Sequence, residues 1–125
     1  MINNIEQLQS SCTKCPVPKT MKDELCYICA TEHMLEGKWK LMILWLLRDS
    51  TKRFSELLSE IPQVKQGPLA NQLKSLEKNG LIIRKSYNQI PPKVEYSLSQ
   101  KGDTFVYVLN CMEIWAKENL FPIKE

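Results

Sequence analysis

A chain of 125 residues with 43% hydrophobic and 25% charged residues has the composition of one globular domain with a short extension, and not of a disordered or fibrous protein. Its net charge of +3 permits a nucleic-acid partner without demanding one, so the placement of the charges matters more than their sum. The longest apolar-rich run, WKLMILWLL at 39–47, falls far short of the ~20 residues that span a bilayer, and residues 1–12 are polar where a secretory signal would be apolar, so no membrane partner and a cytoplasmic location are expected.

Residues 1–19 read as an irregular extension with Pro16 and Pro18 near its end, and residues 20–125 as the folded domain. Thr20 and Asp23 have the spacing of a capping box, Leu25, Ile28 and Leu35 follow at helical intervals, and Gly37 can close that helix. WKLMILWLL is rich in Leu, Met and Trp and poor in β-branched residues, which favours a buried helix over a strand. Phe54, Leu57, Leu58 and Ile61 then line one helical face, and Pro62 ends that helix by pushing its predecessor out of the α region. After the short connection PQVK, Leu69, Leu73 and Leu76 line the face of a second short helix, which Asn79-Gly80 terminates. Pro68 is tolerated in its first turn, where the missing N–H has no intrahelical partner. Two short amphipathic helices so joined have helix-turn-helix spacing.

Beyond Gly80 the period changes. LIIRKSY and VEYSLS are rich in Ile, Val and Tyr, and in VEYSLS Val94, Tyr96 and Leu98 alternate with Glu95 and Ser97; with the loop NQIPPK they read as a β-hairpin. Ser99 can cap a last helix over about 100–119, with Phe105, Val108, Leu109, Met112 and Trp115 in one stripe that Val106, Cys111 and Ile114 widen. That surface is wider than one small domain covers, which points to a homodimer. The order of elements is that of a winged helix-turn-helix: mainly α with a small β-hairpin, an α+β class.

Opposite the leucines of the second helix, rotation by 100° per residue places Gly67, Asn71, Lys74 and Lys78, with Ser75 beside them and Gln66 and Ala70 flanking the N-terminal end. Asn offers the paired donor and acceptor that match adenine, Lys reaches phosphate or guanine, and Gly67 and Ala70 lack bulk, so the helix can approach a groove of double-stranded DNA closely. On the hairpin, Arg84, Lys85 and Lys93, with Asn88 and Gln89 in the loop, stand where a second contact would fall. Arg53 suits either a phosphate or an acid of its own domain. Glu56, Glu60 and Glu77 sit among lysines as solvated ion-pair partners, His33 is the only histidine, and glycine-rich phosphate loops are absent, so an enzyme is not expected.

GKW at 37–39, RFSELL at 53–58, LANQLKSLEKNGLIIR at 69–84, YNQIPPKVEYSLS at 87–99, KG at 101–102 and Trp115 together resemble the HxlR family of winged-helix transcription regulators, which is related to the MarR group. The resemblance implies a homodimer paired through its first and last helices and a palindromic or pseudo-palindromic operator. One departure is Lys65, where the family usually has a small polar residue; Lys cannot accept an N–H bond as a cap and is expected to touch phosphate instead.

Four of the five cysteines form the pattern C-x2-C-x10-C-x2-C: Cys12, Cys15, Cys26 and Cys29. Cys26 stands where the resembling family often carries a cysteine that reacts with oxidants or electrophiles, and a helix N-terminus with Lys22 nearby favours its thiolate. The same four thiols are also a zinc signature, since four thiolates satisfy tetrahedral Zn2+. Redox or electrophile sensing, metal binding and inert thiols all stay open on the residues alone; a permanent disulfide is disfavoured because cytosolic thiols stay reduced. The fold itself requires no cofactor. The leading expectation is a sequence-specific DNA-binding regulator responsive to a small-molecule oxidant or electrophile. The rivals are a winged-helix protein-interaction module without DNA binding and a structural zinc-binding winged-helix protein.

Overall fold

The computed structural model describes residues 23–121. Among them five helices and three short strands follow in the order α1 (Asp23–Met34), α2 (Lys40–Leu46), β1 (Lys52–Arg53), α3 (Phe54–Glu60), α4 (Gln66–Lys78), β2 (Ile82–Tyr87), β3 (Lys93–Leu98) and α5 (Gln100–Asn119). The chain divides into two compact units between Gly37 and Lys38. The expected boundary at 19/20 and the expected cap at Thr20 lie outside the described residues.

In the first unit, α1 is helical as expected, but its buried stripe is not the expected one. Leu25 and Ile28 are 38% and 67% exposed, whereas Cys26 and Cys29, one position round the helix from each, are buried. Of the expected stripe, Ile28 is left mostly exposed and Leu25 and Leu35 are only partly covered.

The second unit has its core where the leucine patterns meet. Ile43, Leu44 and Leu47 on and after α2 pack with Leu57 and Ile61 of the α3 segment, Leu69, Leu73 and Leu76 of α4, Leu81 and Ile82, and Leu109 of α5, all nearly inaccessible to water. Ile61 sits in extended conformation before Pro62, which stops α3, and the turn to α4 passes through Gln63 at a positive φ of 67°. Lys65 is the N-cap of α4, extended and making no side-chain cap bond, as its chemistry requires.

The sheet holds a strand that the hydrophobic pattern did not announce. Its order is β1-β3-β2, all antiparallel, with Lys52 opposite Tyr96 and Arg53 opposite Glu95 on one edge of β3, and Arg84 opposite Tyr96 and Lys85 opposite Glu95 on the other. Two residues carry no periodicity, so β1 is visible only through its pairing. Arg53 ends it and caps α3, its N–H donating to Glu56 Oε1 at 2.9 Å.

Ser99 locks the hairpin to the helices on either side. Its hydroxyl oxygen accepts from the Gly102 N–H at 3.0 Å, capping α5, and the hydroxyl donates to the Gly80 carbonyl just past α4. Its own N–H reaches Leu81 O at 3.0 Å, and Lys101 Nζ donates to Asn79 O at 2.9 Å, so orphan carbonyls at the end of α4 are satisfied from the start of α5. Gly102 is buried here, and a Cβ on it would collide with the Leu81 carbonyl, which is why a glycine follows Lys101.

Candidate nucleic-acid interface

The three buried leucines of α4 fix its rotation, and the opposite face is open. Lys65, Gln66, Gly67, Asn71, Lys74 and Lys78 are exposed and Ala70 is half-buried. The structure thus brings all seven expected residues onto one solvent-facing side of a helix whose core side is Leu69, Leu73 and Leu76. The first intrahelical bond of the helix is Leu69 N–H to Lys65 O at 3.0 Å; Pro68 has no N–H, and the N–H groups of Gln66 and Gly67 have no intrahelical acceptor. A Cβ on Gly67 would meet nothing within 4 Å, so the protein's own packing does not call for glycine there. Gln72, which sequence reasoning did not single out, turns inward: its Oε1 is buried and without a partner among the described residues.

The hairpin residues separate into two groups, because side chains alternate along a strand. Lys85 and Lys93 share one face, along with Tyr87, Glu95 and Arg53; Arg84 is on the other, with Tyr96 and Lys52, and its guanidinium donates to Ser86 Oγ at 3.1 Å. Arg84 and Lys85, neighbours in sequence, therefore lie on opposite faces of the sheet. Lys93 Nζ lies 3.6 Å from Glu95 Oε2 and 4.8 Å from the centre of the Tyr87 ring, and Lys85 Nζ lies 5.0 Å from that ring. Glu95 accepts a hydrogen bond from the Tyr87 hydroxyl. That bond first, opposed by desolvation and helped by Lys93 and then Arg53, holds its carboxyl below the ordinary value of 4.5. Arg53, left between phosphate and acid by the sequence, is aligned with an acid. Asn88 and Gln89 are exposed at the tip, next to a fully exposed Ile90. Tyr87 and Glu95 were missed as site residues; their shared face was legible only from the hairpin register.

With an exposed basic helix in a helix-turn-helix and a basic hairpin beside it, the comparison with known proteins is decisive. The family model for the HxlR-like helix-turn-helix matches residues 34–124. The chain belongs to the HxlR-like family. Relatives within or close to this family include MalR of Fusobacterium mortiferum, 44% identical over 97 residues, covering 74% of this chain and 92% of that one. The HTH-type transcriptional regulator YodB of Bacillus subtilis is 36% identical over 89 residues, covering 71% and 80%. Among solved structures, the redox regulator HypR matches this HxlR-like chain in its reduced form with a TM-score of 0.73 at 36% identity, covering 76% of this chain and 94% of that one, and in its oxidised form with a TM-score of 0.71. The three-stranded sheet with helix-turn-helix is accordingly the winged-helix fold expected from the sequence.

The described cysteines are in three different states. Cys26 is free and 8% exposed in α1; Cys29 is disulfide-bonded and 6% exposed; Cys111, on α5, is free and exposed. Cys12 and Cys15 lie outside the described residues. A disulfide at Cys29 is not what the residues alone favour, since that reading rested on thiols staying reduced in the cytosol. Two of the four cysteines of the zinc signature thus lie outside the described residues; among the described residues no group of three or more His, Cys, Asp or Glu side chains could hold a metal. No helix among the described residues is long and apolar enough to cross a membrane.

Proposed function

We propose that this protein is a homodimeric transcription regulator that binds double-stranded DNA at a palindromic operator, with α4 in the major groove and the hairpin against the backbone or minor groove. One observation carries the reading: Gln66, Gly67, Asn71, Lys74 and Lys78 form an exposed polar and basic face of a helix whose other side is locked into the core by three leucines. Open space at Gly67, with two N–H groups in the same turn that have no intrahelical acceptor, supports close approach to a phosphate. Lys65 serves the same end as a cation at the helix start.

The homodimer is supported by α5. Only Leu109 and Gly102 of this helix are buried, while Tyr107, Met112, Ile114 and Trp115 are largely exposed, and Leu120 and Phe121 continue the apolar surface beyond its end. An apolar cleft of about 440 Å³ between α2 and α5, lined by Trp45, Leu109 and Met112 among others, adjoins that surface. A two-fold dimer through it places two α4 helices against two half-sites. Response to an oxidant or electrophile through Cys26 is supported by the likeness to HypR, a redox regulator solved in two redox forms.

The test is a mobility shift with duplex DNA flanking the protein's own gene. A shift that prefers that sequence over unrelated duplex, weakens steeply with salt and changes on oxidation is expected. A protein that shifts no duplex under any salt or redox condition is not this regulator.

A further inference from the structure

The sheet gathers opposite charges on one open face, and their arrangement assigns a role to its lone acid. Cross-strand partners share a face. Lys85 and Tyr87 of β2 stand opposite Glu95 and Lys93 of β3, and Glu95 is also the partner of Arg53 of β1. Glu95 meets Lys93 directly and receives the Tyr87 hydroxyl; the Tyr87 ring in turn carries the ammonium groups of Lys85 and Lys93. Two cations, Lys93 and Lys85, thus meet one carboxylate or one aromatic ring, Arg53 stands across the strand from the same carboxylate, and the face stays cationic.

We propose that Glu95 is a positioning residue of the DNA interface, holding Arg53, Lys93 and, through Tyr87, Lys85 as a preformed cation array that meets the phosphate backbone. The proposal rests on the DNA-binding reading above. Lys and Arg are long and rotamer-rich, so free side chains lose that freedom when they engage phosphate. An array ordered before the encounter has less to lose. The carboxylate has a cost in repulsion from the phosphates, and the two effects have opposite signs, which makes the proposal testable.

If Glu95 were only a bystander charge, Glu95→Gln would tighten DNA binding and steepen its salt dependence. Positioning requires the reverse. In titrations with duplex DNA, both operator-flanking and unrelated, Glu95→Gln should weaken binding about 10-fold with no steeper salt slope, since ordering of the cations is lost while their number is unchanged. Glu95→Asp should restore part of the loss. Tyr87→Phe, which keeps every charge, should weaken binding in the same direction. In a Lys93→Ala, Tyr87→Phe background the Glu95→Gln change should have little further effect, because the partners it organises are gone. Circular dichroism and melting temperature report that each variant is folded. Wild-type binding with equal or tighter binding by Glu95→Gln overturns the positioning role alone. Absence of wild-type binding to any duplex overturns the regulator reading and this one with it.

Discussion

Asn71 is exposed on the open side of α4, two residues before the fully buried Leu73. A side chain so placed can be removed without touching the core. Asn71→Ala should leave the melting temperature nearly unchanged but relax sequence preference by about 1–3 kcal/mol, the worth of a bidentate base contact, when operator and unrelated duplex are titrated in parallel. Glu95 gives a second prediction. Its folded pKa is depressed, first by the Tyr87 hydrogen bond, so its contribution to stability is present above 4.5 and is lost as pH falls through the lower folded value. An NMR titration should place the Glu95 carboxyl midpoint below 4.5, and Tyr87→Phe should move it back up. Gly102 gives a third. An added Cβ meets the Leu81 carbonyl, a backbone group that cannot swing aside, so Gly102→Ala should cost about 1–3 kcal/mol in thermal or denaturant unfolding.

At the scale of elements, α4 is held by its leucine stripe and by the Ser99 and Lys101 bonds at its C-terminal end. Leu73 is 1% exposed, and Leu73→Ala should cost about 2–5 kcal/mol in urea unfolding, from lost transfer energy and the cavity left behind. The contrast with Asn71→Ala, two residues away, separates the core side of α4 from the side turned to solvent. Most of this was legible in the sequence. Observed α4 (Gln66–Lys78) departs from the expected helix by a residue, and α3 stops before Pro62 as foreseen, because helix periods and proline stops are local properties of the chain. β1 was not legible: Lys52 and Arg53 are a strand only because β3, some forty residues on, supplies hydrogen-bond partners. Arg84 and Lys85 are adjacent in sequence and on opposite faces in the sheet, a division that their order in the chain does not announce. Alternation along a strand is a rule available in advance; the register across the loop that makes it useful is not.

At the scale of the whole molecule the last helix leaves much of its apolar stripe uncovered. Trp115 is 58% exposed and Met112 42%, in the stripe that the sequence marked as apolar. Proteins rarely leave such a surface bare. With the proposed homodimer, Trp115→Glu should yield a monomer by analytical ultracentrifugation and lose operator affinity, while α2 to β3 keep their fold. A variant that stays dimeric and binds as before would place the dimer contact elsewhere. The likeness to HypR and YodB extends over three-quarters or so of this chain, and Cys12 and Cys15 lie in the part that the family model does not match.

The sequence by itself determined the order of elements, the leucine faces that face inward and the polar face of α4, because periods of 3.6 and 2 act over a few residues and need no distant partner. The tertiary structure alone decided the rest. It added β1, drew Arg53, Lys85, Tyr87 and Lys93 around Glu95, tied Ser99 to Gly80 across the hairpin, and buried Cys26 and Cys29 in place of Leu25 and Ile28. Most of these depend on pairings between residues far apart in the chain, whose energies no local pattern contains.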